Sequence, residues 1–151
     1  MFLIDGEKRF ELAILGREFP NSTEYHDGNW LNVEVKASDG DLHWTAKDNC
    51  LLAYELHRLR QWVGDLYGTS EKEIRFTENE LAFEFNKDTN TLTVVLDFHL
   101  HPKGQNYDYG EDGDDEYLLN FSVDERKLKS LILDLGRLID KYPVKERPQQ
   151  N

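Results

Sequence analysis

The chain has 151 residues, of which 38% are hydrophobic, 32% charged and 12% aromatic. This length and composition predict a single globular domain with a sizeable core, and they argue against intrinsic disorder. The 18 Lys and Arg residues against 30 Asp and Glu residues give a formal net charge of −12. That charge disfavours nucleic acid and anionic membranes as partners, and it favours a basic protein.

The cysteine content and the apolar runs bear on the cellular compartment. Cys50 is the single cysteine, so the chain has no internal disulfide, which is typical of a reducing compartment. The apolar start Met1–Ile4 is too short for the core of a signal peptide, and no apolar run approaches the length of a membrane span. We therefore expect a cytoplasmic protein that binds neither membrane nor nucleic acid.

Alternating apolar and polar residues predict strands in the first half of the chain. The expected inward-facing residues are Phe10, Leu12, Ile14, Leu31, Val33, Val35, Leu42, Trp44 and Ala46. Asp39-Gly40 lies between the last two runs and predicts a tight hairpin. Residues 16–29 contain Pro20 and Gly28 and are predicted to form a loop.

A helix is predicted over about residues 51–67 because apolar residues there recur at helical spacing. The expected buried stripe is Leu52, Leu56, Leu59, Val63 and Leu66. Asp48 or Asn49 would cap this helix by accepting a hydrogen bond from a free backbone N–H.

The second half repeats this order. Strands are predicted around Leu81–Phe85, over Leu92–Leu100 with Pro102 ending the strand, and around Leu119–Val123. A wide apolar stripe predicts a final helix over about residues 124–142, and Ser122 with Glu125 fits a capping box.

These elements predict an α+β fold: a mainly antiparallel sheet of about six to eight strands covered by two amphipathic helices. The order of strands and helices raises the hypothesis of a duplicated β-β-β-α unit. We expect one domain over residues 1–143 and a flexible polar tail over residues 144–151.

Three potential metal ligands alternate along a predicted strand: Asp97, His99 and His101. On a strand their Cβ atoms would share one face at a spacing of about 7 Å, and two such histidines with a carboxylate can bind zinc. A polar, solvent-facing strand side accounts for the same pattern, and we favour that interpretation. The alternative is a metal-dependent hydrolase or metal sensor.

Acidic and tyrosine residues are concentrated in one segment. Its members are Tyr107, Asp108, Tyr109, Glu111, Asp112, Asp114, Asp115, Glu116 and Tyr117. No Lys or Arg occurs between Gly104 and Glu125, and the spacing does not match an EF-hand loop. The segment is either a solvated, mobile loop or a docking surface for a basic protein; calcium binding is the third interpretation.

The remaining candidates do not assemble a catalytic motif. Cys50 lies near a predicted helix N-terminus but has no positioned base, so we interpret it as a small buried residue. The three tryptophans, Trp30, Trp44 and Trp62, are interpreted as packing residues. A pocket lined by them would instead indicate a small, non-catalytic ligand-binding or scaffold domain. We expect no enzymatic activity, no metal and no cofactor.

One part of the chain resembles a known family. The residues concerned are Tyr25-x-Asp27-Gly28-Asn29-Trp30-Leu31-x-Val33, Trp44, and Asp48-Asn49-Cys50-Leu51-Leu52-x-x-Glu55-Leu56. Upstream, Phe10-Glu11-Leu12-x-Ile14-Leu15-Gly16-x-x-Phe19-Pro20 fits the opening strand and turn. The stretch from Phe10 to Leu66 is similar to the WapI-type immunity proteins, with Asn49 in place of a proline and Gly28 in place of the usual alanine.

This resemblance implies a cytoplasmic antitoxin that binds and blocks the C-terminal domain of a polymorphic toxin made by sibling cells. The founding toxin of the family acts on RNA, so a basic, nuclease-type toxin domain is the expected partner. The acidic segment is not part of the resemblance. Its assignment as the contact surface comes from its charge and its tyrosines alone.

Overall fold

A computed structural model of the chain describes residues 1–147. It contains eight strands and three α-helices. The elements are β1 (Phe2–Asp5), β2 (Lys8–Arg17), α1 (Tyr25–Asn29), β3 (Trp30–Asp39), β4 (Leu42–Leu52), α2 (Ala53–Gly64), β5 (Glu73–Arg75), β6 (Leu81–Asn86), β7 (Thr91–Leu96), β8 (Tyr117–Ser122) and α3 (Glu125–Lys141). Two short 3-10 helices, Phe98–Leu100 and Gly104–Asn106, lie between β7 and β8.

The strands form two antiparallel meanders in chain order. The first sheet has the order β1-β2-β3-β4 and is followed by α2, and the second has the order β5-β6-β7-β8 and is followed by α3. The predicted α+β class, the strand number and the two amphipathic helices are confirmed. The hypothesis of a β-β-β-α unit undercounts the strands: each half has four strands followed by a helix, because short edge strands, β1 and β5, join the three longer strands.

One hydrophobic cluster contains residues from both sheets and from α2 and α3. Phe10 of β2 and Phe83 of β6 are both fully buried and meet edge to face, with 6.1 Å between ring centroids. The helices contribute buried leucines, among them Leu56 and Leu131. The alternating residues that predicted the strands therefore face one shared core, with one exception. Leu42, at the start of β4, was expected to face inward but is 42% exposed and lies outside the cluster.

Helix α2, predicted over about residues 51–67, begins at Ala53. Trp30 and Leu31 of β3 pair with Leu52 and Leu51, which keeps β4 in the sheet up to Leu52. Asp48 and Asn49 consequently lie on a strand and do not cap α2. Glu55 closes the helix N-terminus instead: its Oε2 accepts a hydrogen bond from the Leu52 backbone N–H at 3.0 Å.

The predicted strand over residues 92–100 is also too long. β7 ends at Leu96, and Phe98 adopts a positive φ of 48°, which turns the chain into a 3-10 helix. The final helix begins three residues after Ser122, and the Asp124 side chain caps it by accepting from the Lys127 N–H at 2.8 Å. A short helix, Tyr25–Asn29, occupies the end of the predicted loop.

The chain after α3 contacts α1. Asn29 is fully buried; its Oδ1 accepts from the Lys145 N–H at 2.8 Å and its Nδ2 donates to the Lys145 carbonyl at 3.1 Å. The Arg147 guanidinium lies over the Tyr25 ring, 4.9 Å from its centroid. Of the tail predicted to be flexible, residues 148–151 lie outside the described residues. None of the helices within residues 1–147 combines the length and apolarity needed to span a membrane.

Candidate functional site

The acidic segment, residues 107–117, connects the second 3-10 helix to β8. Tyr107 is buried, while Asp114 and Tyr117 are half-buried. The exposed members are Asp108, Tyr109, Glu111, Asp112, Asp115 and Glu116. The predicted contact residues therefore divide into a supporting set and a set that solvent, or a partner, can reach.

Hydrogen bonds fold the acidic segment onto itself and onto the end of β7. The Tyr107 hydroxyl donates to Asp97 Oδ1 at 2.6 Å, and its oxygen also lies 2.9 Å from the Asp114 carbonyl oxygen, which shares the same proton. Asp114 Oδ2 accepts from the Asp108 N–H at 2.8 Å, and its Oδ1 accepts from Lys103 Nζ. The hydrogen bond to Asp97 raises the pKa of Tyr107, whereas the Lys103 ammonium lowers the pKa of Asp114. The segment is thus hydrogen-bonded rather than extended, despite its like charges.

A row of contacting aromatic rings runs from Trp44 of β4 to Tyr109 of the acidic segment. Ring centroids are 5.3 Å apart between Trp44 and Tyr117, 6.0 Å between Tyr117 and His101, and 5.0 Å between His101 and Tyr107. Tyr107 then meets Tyr109 at 4.7 Å. Tyr109 is 60% exposed, so a row of buried and half-buried rings ends in a tyrosine that faces solvent.

The exposed carboxylates of the segment are mostly uncompensated. Arg75 lies 3.6 Å from Glu116, but it also lies 3.4 Å from Glu73. Within residues 1–147, Glu111, Asp112 and Asp115 form no ion pair. Their negative charge is therefore free to act on a partner.

Asp97, His99 and His101 do not form the predicted strand face, because β7 ends before them. Asp97 Oδ1 accepts from the Phe98 N–H at 2.9 Å and from the Tyr107 hydroxyl. His101 is 7% exposed, and its Nδ1 accepts from the Lys103 N–H at 3.0 Å. These two side chains serve local structure, and His99 points to a different set of neighbours.

His99 belongs to a second group of polar side chains, here named the Glu80 cluster: Asp48, Cys50, Glu80 and His99. His99 Nδ1 lies 2.9 Å from Glu80 Oε1 and 3.9 Å from Asp48 Oδ2. One donor atom from each of Asp48, Cys50 and Glu80 lies within 4.8 Å of the other two. Among the described residues this is the one group of three or more acidic, cysteine or histidine side chains that comes so close.

Glu80 is the buried centre of this cluster. It is 8% exposed, and its Oε2 has no hydrogen-bond partner among residues 1–147. Burial and the neighbouring Asp48 carboxyl raise the pKa of Glu80 to about 7, while His99 opposes that rise. Two carboxylates are both acceptors, so this pair requires a shared proton or a neighbouring cation. The His99 ring lies beside both carboxylates, and the hydrogen bond to Glu80 raises the pKa of His99. Burial also raises the pKa of Cys50, which is 1% exposed.

Strand geometry explains how distant residues form the cluster. Asp48 and Cys50 are two apart on β4, so both side chains point to the inner face. Glu80 precedes β6 and accepts a backbone hydrogen bond from the Asp97 N–H at 2.9 Å. The turn at Phe98 then brings His99 back over Glu80. The Asp48-x-Cys50 spacing is visible in the sequence, but the approach of Glu80 depends on strand pairing.

The tryptophans are separated in the fold. Trp44 Nε1 donates to the Leu100 carbonyl at 3.1 Å and joins the aromatic row, whereas Trp62 lies in α2 and its Nε1 donates to the Glu71 carbonyl at 2.9 Å. Trp30 is half-buried at the start of β3. The interpretation of these residues as packing side chains agrees with these contacts.

Comparison with known proteins identifies the family. A search of curated proteins finds no match. The model of the WapI-like immunity protein family matches residues 1–143, which includes both sheets, the acidic segment, the Glu80 cluster and the two long helices. The chain therefore belongs to the WapI-like immunity protein family.

Proposed function

We propose that this protein is an antitoxin that binds a cognate toxin domain through the exposed face of the acidic segment and blocks it stoichiometrically. The observation that carries the proposal is a set of unpaired carboxylates, Glu111, Asp112 and Asp115, on a segment that hydrogen bonds hold in place. The family match supports the immunity role, and the surface charge supports a basic partner.

The partner proposed is a basic, nuclease-type domain. A nuclease presents cationic side chains where it binds the phosphates of its substrate. Closely spaced carboxylates offer a similar array of negative charge, so they would occupy that surface and exclude nucleic acid. Blocking of this kind needs no catalytic group on the antitoxin, in agreement with the sequence-based expectation that the protein is not an enzyme.

Tyr109 is the proposed anchor within this interface. It is 60% exposed, and its ring stacks on Phe98 at 5.8 Å and contacts Tyr107 at 4.7 Å. A tyrosine that is already ordered loses little conformational entropy on binding, and exposed aromatic residues commonly dominate the binding energy of an interface. The carboxylates around it would mainly accelerate encounter and exclude wrong partners.

The test requires a toxin domain, to be sought among the genes that neighbour this one, and it measures association kinetics by stopped flow. The variant replaces Glu111, Asp112 and Asp115 with lysine and leaves Asp114 in place, because Asp114 supports the segment. We expect the association rate constant to fall about tenfold or more at low ionic strength, and its salt dependence to weaken.

The matched control replaces Glu71, Asp88 and Asp140 with lysine. These residues are exposed, lie outside the ion pairs of the described residues, and carry the same total charge change. Asp88 lies in the β6–β7 turn, at the end of the sheet opposite the acidic segment. Equal losses in both variants would show that only net charge matters and would move the interface elsewhere. Failure of the unaltered protein to neutralise the toxin would remove the proposed function itself.

A further inference from the structure

We propose that the Glu80 cluster is a binding site for one divalent transition-metal ion of the zinc type. The proposal stands on side chains outside the acidic segment and does not depend on toxin binding. It is also distinct from the strand-face site considered at Asp97 and His101, because those two side chains bond to local backbone and tyrosine groups.

The donor set selects the class of ion. A thiolate and an imidazole together favour zinc, cobalt or similar borderline ions over magnesium and calcium, which prefer oxygen ligands. Two carboxylates complete a set of four protein ligands, which is the number found in structural zinc sites. Cys50 is the chain's single cysteine, and it is the most deeply buried of the four side chains, at 1% exposed.

The distances fit a small adjustment around one ion. Ligand atoms at tetrahedral positions around zinc are separated by about 3.3 to 3.8 Å, given bond lengths of about 2.0 to 2.3 Å. The three donor atoms of Asp48, Cys50 and Glu80 are already within 4.8 Å of one another. His99 Nδ1 is 3.9 Å from Asp48 Oδ2 and 2.9 Å from Glu80 Oε1, so the exposed imidazole already lies beside two of the other ligands.

A buried, unpartnered oxygen gives independent support. Glu80 is more than nine-tenths buried. Its Oε2 is out of contact with solvent, yet it accepts no hydrogen bond from residues 1–147. His99 is the only cationic side chain in ion-pair contact with Glu80 or Asp48 within the described chain. Buried acceptors without donors are rare in folded proteins and commonly mark a missing cation, water or proton. A divalent ion would satisfy this oxygen and neutralise both carboxylates.

A bound ion would connect the two sheets. Asp48 and Cys50 belong to β4 of the first sheet, whereas Glu80 and His99 flank β6 and β7 of the second. The His99 ring lies 6.5 Å from the Tyr109 ring. Coordination of His99 would therefore also fix one neighbour of the tyrosine at the tip of the aromatic row. We infer a structural role, because four protein ligands leave no open position for a substrate.

The experiment uses the full chain, stripped with a chelator and then titrated with Co²⁺ or Zn²⁺. Native mass spectrometry should give one ion per chain, and the Co²⁺ form should show a thiolate-to-cobalt charge-transfer band together with intense tetrahedral d–d bands. Zn²⁺ should raise Tm, and above the dissociation constant the rise should be roughly linear in the logarithm of the free Zn²⁺ concentration, as expected for a ligand of the folded state.

Variants separate the ligands from the fold. Cys50→Ser should abolish the charge-transfer band. His99→Gln changes an exposed side chain, so the fold should be retained. Loss of a group that only supports a metal ligand weakens metal affinity about 10- to 100-fold, and loss of the ligand itself should weaken it at least as much. The control Glu84→Gln alters an exposed-side carboxylate of β6 outside the cluster and should leave both the stoichiometry and the spectrum unchanged.

Glu80→Gln distinguishes the ion from the alternative, a proton shared between two carboxyl groups. If the cluster binds a metal, the variant loses the Zn²⁺-dependent rise in Tm. No ion bound at one equivalent, or a cobalt spectrum that Cys50→Ser and His99→Gln leave unchanged, would overturn the proposal. In that case Glu80→Gln would simply replace a protonated acid, and its Tm without metal would equal or exceed that of the unaltered protein.

Discussion

At the scale of single residues, Glu55 shows how a buried carboxylate can stabilise two elements together. It is 1% exposed, and its Oε2 closes the N-terminus of α2 through the Leu52 N–H. Its Oε1 accepts from the Thr77 N–H at 2.7 Å and from the Thr77 hydroxyl at 2.8 Å. Glu55 thereby joins α2 to the chain between β5 and β6. Glu55 belongs to the stretch that resembles the immunity family. Because it is buried, its role there is structural rather than contact with a partner.

Replacement of Glu55 by alanine should destabilise the protein by about 3 kcal/mol or more, because buried donors lose a charged acceptor. Urea unfolding followed by circular dichroism measures this loss. Thr77→Val removes one of the three donors and should cost about 1 kcal/mol. A loss below about 1 kcal/mol for Glu55→Ala would show that water replaces the carboxylate and that α2 does not depend on it.

Tyr117 gives a prediction for high pH. Its hydroxyl donates to Asp39 Oδ2 at 2.6 Å, which joins β8 to the end of β3. Burial, together with this hydrogen bond and the Asp39 charge, raises the pKa of Tyr117 to about 12. Because the folded pKa exceeds that of the unfolded chain, about 10, the contribution is complete below pH about 10 and is lost as the pH rises toward 12.

Tyr117→Phe should therefore remove a late component from the tyrosinate absorbance titration. At neutral pH it should cost about 1 kcal/mol, below the value for a fully buried charged pair because Tyr117 is partly exposed. The stability difference between the variant and the unaltered protein should shrink above pH about 10. A difference that stays constant up to pH 12 would show that the hydroxyl contributes nothing through Asp39.

At the scale of elements, the predictable and unpredictable parts follow from locality. Alternating residues such as Leu81, Phe83 and Phe85 predicted β6 because one side of the strand faces the core. The start of α2 was missed because pairing of Leu51 and Leu52 with β3 outweighs the local capping signal of Asp48. Such pairing is a contact between distant residues, and no local pattern reports it.

The same reasoning explains the candidate sites. The acidic segment was found from its composition, but its shape depends on the contact of Tyr107 with Asp97, which closes a loop of ten residues. The Glu80 cluster was missed because its members come from β4 and from the ends of β6 and β7. Of its four members, only His99 was considered as a metal ligand from the sequence. That consideration assumed a strand through His99, whereas β7 ends at Leu96.

Asp114 should be the residue that holds the acidic segment in shape. Asp114→Ala removes the acceptor for the Asp108 N–H and for Lys103 Nζ, so we expect several-fold faster hydrogen exchange at Asp108 and faster proteolysis within the segment. Tm should change little, because the segment lies at the surface. Asp112→Ala is the control, since Asp112 is exposed and its side chain has no protein hydrogen bond among the described residues. Equal exchange rates in the two variants would contradict this role for Asp114.

At the scale of the whole molecule, the two sheets have similar topology but share their core. The edge-to-face contact of Phe10 with Phe83 joins them in the interior. At the periphery, Trp44 donates to Leu100 and Asp5 accepts from the Ser122 N–H at 2.8 Å. Neither four-stranded half buries its inner face without the other. We therefore expect one cooperative unfolding unit, which is the physical content of the predicted single domain over residues 1–143.

Phe10→Leu tests that expectation, since it alters the first sheet alone. Loss of the aromatic contact and imperfect repacking should cost about 1 to 2 kcal/mol. If the halves unfold together, hydrogen exchange through global opening should accelerate equally in peptides from β2–β3 and from β6–β7. Phe83→Leu alters the second sheet alone and should likewise accelerate exchange equally in both sheets. The free-energy loss of the double variant should be about 1 kcal/mol less than the sum of the two single losses, because both changes remove one shared contact. Acceleration confined to the first sheet would instead show that each half, four strands followed by a helix, opens independently. The shared core would then be an interface between two folding units.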